Sequence, residues 1–172
     1  MILHLIRHPK PQVEPGICYG RLDIPAQIAA AELAHLRTLL PPGLPLWSSP
    51  LQRCRSLAEQ LHAQPRFDGR LAEIDFGAWE GRAWDDLPRP EIDAWAADVA
   101  GYAPPGGESP RQLQARVWAW LGEMVAAEAV VVTHAGVIRA LRGDWLAASV
   151  AYASLTTVDM TETRRMLRGA NR

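Results

Sequence analysis

Arg7 and His8 close the apolar run that opens the chain, MILHLI, so a guanidinium and an imidazole stand side by side at the end of a hydrophobic segment. A second histidine, His134, follows the continuous apolar run AVVV and Thr133, and a second arginine, Arg53, follows SSPLQ. Arginine is a rigid fork of donors that suits phosphate or carboxylate, and charge-assisted bonds of this kind are the stronger ones. A neutral imidazole is nucleophilic near pH 7 and can accept a phosphoryl group covalently. Two arginines and two histidines gathered on one dianion would therefore make a reactive phosphate site. Each piece alone carries little weight; the conjunction carries the reading.

Such chemistry needs an acid to protonate the departing oxygen. The stretch LAEIDFGAWEG offers Glu73, Asp75 and Glu80, and Glu108 lies beyond it. Composition does not choose among the four.

The elements that must hold these groups alternate along the chain. Ile2–Ile6 reads as a short buried strand, 26–40 as a helix, 44–48 as a second strand and 50–62 as a helix. The run Ser49-Pro50-Leu51-Gln52 carries a serine N-cap, a proline at the first helical position and a glutamine at the third; Ser109-Pro110-Arg111-Gln112 repeats it. Ala129–Val132 is β-branched and uninterrupted, as a strand covered on both faces should be. A helix through Ile138 and Leu141 follows, and 155–160 supplies a last strand. Alternating strands and helices predict an α/β fold with a mostly parallel sheet, in which ligands sit beyond the carboxyl ends of the strands. Arg7-His8, Ser48-Ser49 with Arg53, and His134 all fall at such ends. The segment of about 75–108, rich in Trp, Pro and Gly, fits the alternation less well. It reads as an insertion of short helices and loops covering one edge of the sheet, its tryptophans there for packing.

Composition narrows the function classes. The 172 residues are read as one domain, 1–172, long enough to need no metal or disulfide to hold a core. A formal charge of -1 argues against a nucleic-acid footprint, which needs clustered Lys and Arg. Two cysteines at no ligand spacing predict reduced thiols and a cytoplasmic protein. The uncharged stretch 145–158 is too short for the roughly 20 residues of a membrane helix.

LIRH, SSPLQR, LAEIDFGAWEG and VVTHAGVIRAL resemble, in order and spacing, the four signatures of the histidine phosphatase superfamily, the phosphoglycerate mutase-like fold. The resemblance spans nearly the whole chain and implies a three-layer arrangement of the sheet and its helices. It implies that His8 is the nucleophile that becomes phosphohistidine, that Arg7 and Arg53 grip the phosphoryl oxygens, and that His134 stabilises the transferring group. It implies Glu73 as the proton donor and the backbone amide of Ala135 as a further donor. No metal and no other cofactor is implied, and the partner is a small phosphomonoester. GICYGRLDIP, FGAWEGRAWDDLP and YAPPGGES are similar to the α-ribazole phosphatase branch, with Tyr19 as a possible substrate contact. The chain departs from the usual family pattern at Pro9 and Pro11. Pro9 has no N–H, so a phosphate contact from that backbone amide is lost. Two other readings use the same residues: a phosphoglycerate mutase or broad-specificity phosphatase, and a non-catalytic phospho-ligand binding module.

Overall fold

The computed structural model describes residues 1–144, 149–163 and 165. The elements run β1 (Ile2–Arg7), α1 (Ala30–Leu39), β2 (Leu46–Ser48), α2 (Gln52–Leu61), β3 (Arg66–Phe67), α3 (Arg89–Ala97), α4 (Pro110–Glu123), β4 (Glu128–Thr133), α5 (Ala135–Arg142) and β5 (Leu155–Asp159). Three single-turn 3₁₀ helices, Gly69–Leu71, Gly77–Trp79 and Trp84–Asp86, lie between β3 and α3. One five-stranded sheet has the order β3-β2-β4-β1-β5. All pairings are parallel except β1 with β5, which is antiparallel.

Alternation along the strands divides the core. Leu3, Leu5, Ala129 and Val131 face α4 and α5 through Leu113, Val117, Leu121, Val137 and Ile138. Ile6, Val130, Val132 and Leu46 face α1 and α2 through Leu36, Cys54, Leu57 and Ala58. The two central strands are covered on both sides, which is why the run 129–132 is unbroken by polar residues.

Three expectations shift. Helix α1 begins at Ala30 rather than 26, because the Pro25 carbonyl accepts from Gln12 N–H and Ala26 bridges Pro11, which holds that stretch extended. Helix α2 begins at Gln52 with Leu51 as its N-cap, so Ser49 does not cap it. The second copy of the signature is fully realised: Ser109 Oγ accepts from Gln112 N–H at 3.3 Å and the Gln112 side chain accepts from Ser109 N–H at 2.7 Å. Segment 75–108 packs on the β1–α1 loop rather than along a sheet edge. Its Ala83 bridges Ile17, and Cys18 N–H donates to Arg82 O at 2.8 Å. Trp79, fully buried, is its core, with Trp84, Trp95 and Tyr102 around it. Gly77 closes the segment on itself. Its φ is +52° and a Cβ there would lie 2.3 Å from Pro105 O, so only glycine fits.

Candidate active site

The sheet register brings the chemistry together. Arg7 of β1 lies opposite Thr133 of β4, and Ser48 of β2 opposite Val132. The ladder runs one step further on each side of β4: His8 N–H donates to Thr133 O and Ser49 N–H to Val132 O, both at 3.0 Å. His8, His134 and Ser49 therefore leave three adjacent strands at the same level. The imidazoles of His8 and His134 lie 5.0 Å apart.

Arg53, on the first turn of α2, is fully buried. A buried guanidinium is costly unless its donors are satisfied. Here NH1 donates to Leu22 O at 2.7 Å, NH2 to Gly20 O, and Nε to His134 Nδ1 at 3.3 Å. Arg53 thus braces the β1–α1 loop against α2 while touching the second histidine.

These bonds fix both tautomers. His8 Nδ1 lies 2.7 Å from Pro9 O, a carbonyl that can only accept, so Nδ1 carries the proton and Nε2 keeps its lone pair. His134 Nδ1 accepts from Arg53, so its Nε2–H donates, to Ser49 Oγ at 2.8 Å. Neither ring takes up a second proton readily. Burial pushes His8 down to about 3, with Arg53 and Arg7 acting in the same direction. Burial, then Arg53 and His8, holds His134 well below the ordinary histidine value. His8 is thus a neutral imidazole with one nitrogen free of hydrogen bonds among the described residues.

Arg7 completes the cluster. Its NH1 donates to Val150 O, its Nε is buried without a hydrogen-bond partner among the described residues, and its guanidinium carbon stands 3.7 Å from the centroid of the Tyr152 ring. No signal in the sequence points to Tyr152. It lies in a turn before β5, and no spacing pattern ties it to the motifs. The fold places its ring 5.7 Å from His8 and its hydroxyl 2.9 Å from the hydroxyl of Tyr19. Tyr19 in turn lies 5.5 Å from the Arg53 guanidinium. The next residue, Ala153, adopts φ +51°, an unusual conformation for a residue with a Cβ, and donates its N–H to His8 O at 3.2 Å. Arg53, His134, His8, Tyr152 and Tyr19 form a closed ring of contacts, with Arg7 stacked on Tyr152.

The four candidate acids separate clearly. Glu80 accepts backbone N–H bonds from Arg21, Leu22 and Phe76 at 2.6–3.0 Å. Glu108 is paired with Arg116 and accepts from Asp75 N–H at 3.1 Å. Asp75 accepts from Gly77 N–H at 2.8 Å. All three hold the covering segment in shape. Glu73 instead follows the first 3₁₀ turn, not a strand, and its carboxylate reaches the second residue after His134: Oε2 accepts from Gly136 N–H at 3.2 Å and Oε1 from Ile74 N–H at 2.9 Å. Arg21 and Arg116 donate to its backbone carbonyl at 2.9 and 3.0 Å and fix its place. Gly136 leaves the room the carboxylate occupies, since a Cβ there would lie 2.3 Å from Glu73 Oε1 and push it aside. Ala135 opens α5 immediately after His134.

Among the described residues no three His, Cys, Asp or Glu side chains gather as metal ligands, and no helix is long and apolar enough to cross a membrane. Cys54 Sγ lies 3.4 Å from His134 Nε2, but burial raises its thiol strongly and keeps it protonated.

Comparison with known proteins follows the same lines. The chain is 27% identical over 158 residues to "Putative phosphoserine phosphatase 2" of Hydrogenobacter thermophilus, covering 81% of this chain and 75% of that one. It superposes on phosphoglycerate mutase from Thermus thermophilus with a TM-score of 0.80 at 37% identity over 94% of each chain. On a mycobacterial glucosyl-3-phosphoglycerate phosphatase the TM-score is 0.76 at 26% identity, covering 91% of this chain and 88% of that one. The family model of the histidine phosphatase superfamily (branch 1) matches residues 3–171, and the chain belongs to that superfamily.

Proposed function

We propose that the protein hydrolyses a phosphomonoester through a phosphohistidine on His8. One observation carries this reading: a neutral His8 with Nδ1 committed to Pro9 O and Nε2 without a hydrogen-bond partner among the described residues, beside His134 and flanked by Arg7 and Arg53. In the first half-reaction Nε2 attacks phosphorus, the P–N bond forms as the P–O bond to the alcohol breaks, and protonated Glu73 gives its proton to the departing oxygen. In the second, water attacks phosphorus, Glu73 takes its proton, and the P–N bond breaks to release inorganic phosphate. His8 and Glu73 both return to their starting forms.

Arg7 and Arg53 hold the phosphoryl oxygens, and His134 stabilises their charge by turning its Nε2–H from Ser49 Oγ to a phosphoryl oxygen. The Ala135 N–H and the Tyr19 hydroxyl are further donors to the bound group. Positioning and electrostatic stabilisation supply most of the acceleration in phosphoryl transfer, and the two guanidiniums provide the positive charge that a metal supplies elsewhere. The missing N–H at Pro9 removes one donor and leaves the five reacting side chains in place. The Pro9 carbonyl takes on the task of orienting His8.

The finer reading is α-ribazole 5′-phosphate as the natural substrate and a cytoplasmic role in cobalamin assembly, supported by GICYGRLDIP, FGAWEGRAWDDLP and YAPPGGES. The relatives named for phosphoserine and for phosphoglycerate esters define the competing substrates. The test is turnover of 4-nitrophenyl phosphate in EDTA by wild type and His8→Ala, followed by a screen of α-ribazole 5′-phosphate, phosphoserine and 3-phosphoglycerate. Undiminished turnover by His8→Ala defeats the mechanism. If α-ribazole 5′-phosphate ranks among the poor substrates, the finer reading alone falls.

A further inference from the structure

Glu73 stands in the wall of a cavity of about 210 Å³ whose lining includes Phe76, Trp95, Val99, Leu113 and Arg139. The lining is mainly apolar, and one charged side chain on it has an unmet need: Arg139 Nε is buried and has no hydrogen-bond partner among the described residues. Arg139 lies three residues beyond Gly136 on α5, so both are on one helix face, and Gly136 N–H is the group that holds the Glu73 carboxylate. Trp95 is a fixed wall rather than a loose side chain, stacked on Trp84 at 5.8 Å and 17°. Val99, 41% exposed, stands at the rim.

We propose that this cavity is the leaving-group subsite, and that it takes an alcohol with a flat apolar body of one or two rings carrying a hydrogen-bond acceptor that meets Arg139. The proposal rests on the phosphatase reading above, since it takes Glu73 as the group that protonates the leaving oxygen. That oxygen must lie within hydrogen-bond reach of Glu73, and whatever is bonded to it continues into the space Glu73 borders. The cavity is smaller than the roughly 300–1,000 Å³ of pockets for drug-sized ligands, which limits the body to a compact ring system. A small zwitterion such as serine would leave Phe76, Trp95 and Val99 in contact with water and gain nothing from them. The acceptor is required because a buried guanidinium N–H left unpaired is costly, and a ligand that satisfies it is favoured over one that does not.

The experiment compares ethyl phosphate, 2-naphthylmethyl phosphate and a ring-carboxylated 2-naphthylmethyl phosphate, whose leaving alcohols have similar acidity. Wild type, Val99→Asp and Arg139→Met are assayed, with inhibition by inorganic phosphate as a check that each variant keeps a folded phosphate site. Wild type is expected to favour the naphthylmethyl ester over the ethyl ester by about 10–200-fold in kcat/KM, the range hydrophobic pockets achieve. Val99→Asp should cut that preference at least about tenfold; wild type should favour the carboxylated ester over its parent, and Arg139→Met should abolish that added preference. Selectivity within twofold in wild type, or preferences unchanged in both variants, overturns the subsite while leaving the phosphatase reading intact. No phosphate release from any ester, with no inhibition by inorganic phosphate, overturns both.

Discussion

The burial of two neutral histidines makes stability fall on acidification, and His8 gives the effect a size. Its pKa is about 3 in the folded protein against about 6.5 unfolded. Below pH 6.5 the unfolded chain binds a proton that the folded chain refuses, so stability is lost as pH falls from about 6.5 towards 3 and is fully present above 6.5. Between pH 7 and pH 5 the loss from His8 alone is about 2 kcal/mol, and His134, shifted in the same direction by the same burial, adds to it. The assay is urea unfolding at both pH values for wild type and His8→Asn, whose side-chain amide can still donate to Pro9 O but does not titrate. Wild type should lose about 2 kcal/mol more than His8→Asn over this interval. Equal losses in the two proteins would refute the claim that His8 is held neutral by its surroundings. Nitrogen-15 spectra of the ligand-free protein offer an independent check: His8 should show an Nδ1–H tautomer and His134 an Nε2–H tautomer down to pH 5.

Other substitutions probe single parts of the site. Glu73→Gln should lower kcat/KM on alkyl phosphates by about 10²–10⁴-fold, the usual worth of general acid catalysis; 4-nitrophenyl phosphate, whose leaving group needs little protonation, should lose far less in kcat/KM, which leaves out the shared hydrolysis of the phosphohistidine, and equal losses in kcat/KM would exclude Glu73 as the acid. Gly136→Ala drives a Cβ to 2.3 Å from Glu73 Oε1, so it should reproduce the same split in steady-state kinetics by displacing the carboxylate. Tyr152→Phe retains the ring over Arg7 and should leave KM within a few-fold, whereas Tyr152→Ala removes the shelf and should raise KM about tenfold or more through loss of the cation–π contact. Arg53→Lys cannot span Gly20 O, Leu22 O and His134 Nδ1 at once, so calorimetry should show a lower Tm and assays a kcat/KM reduced by about a hundredfold.

The parts of this architecture that could be read directly were those with a period or a boundary. The unbroken AVVV run announced a strand covered on both faces, and Ser109 through Gln112 announced a helix start, because both signals are local. Ser49 through Gln52 shares serine, proline and glutamine with the second signal at the same spacing and means something else. Its serine hydroxyl accepts from the Leu51 N–H at 3.3 Å and from the His134 imidazole at 2.8 Å, and the helix starts later, at Gln52. The bond to His134 is tertiary, and no local pattern records it. The choice among Glu73, Asp75, Glu80 and Glu108 was likewise closed to composition. It depends on which carboxylate the fold leaves beside α5 and which it commits to loop amides. Tyr152 is illegible for a related reason. Its place over Arg7 follows from the antiparallel return of β5 beside β1, and nothing about a tyrosine in a turn foretells that pairing. The double commitment of Arg53, as brace and as ligand to His134, becomes visible only once the β1–α1 loop lies across α2.

Rapid acid-free quenching of the enzyme during turnover, followed by phosphorus-31 spectroscopy of the intact protein and peptide mapping, tests the central claim most directly. A base-stable phosphoryl group on Nε2 of His8, accumulating in Glu73→Gln when its hydrolysis is slowed, is the expected result. Phosphate on Nδ1 of His8, on another residue, or on none while turnover continues, would contradict it.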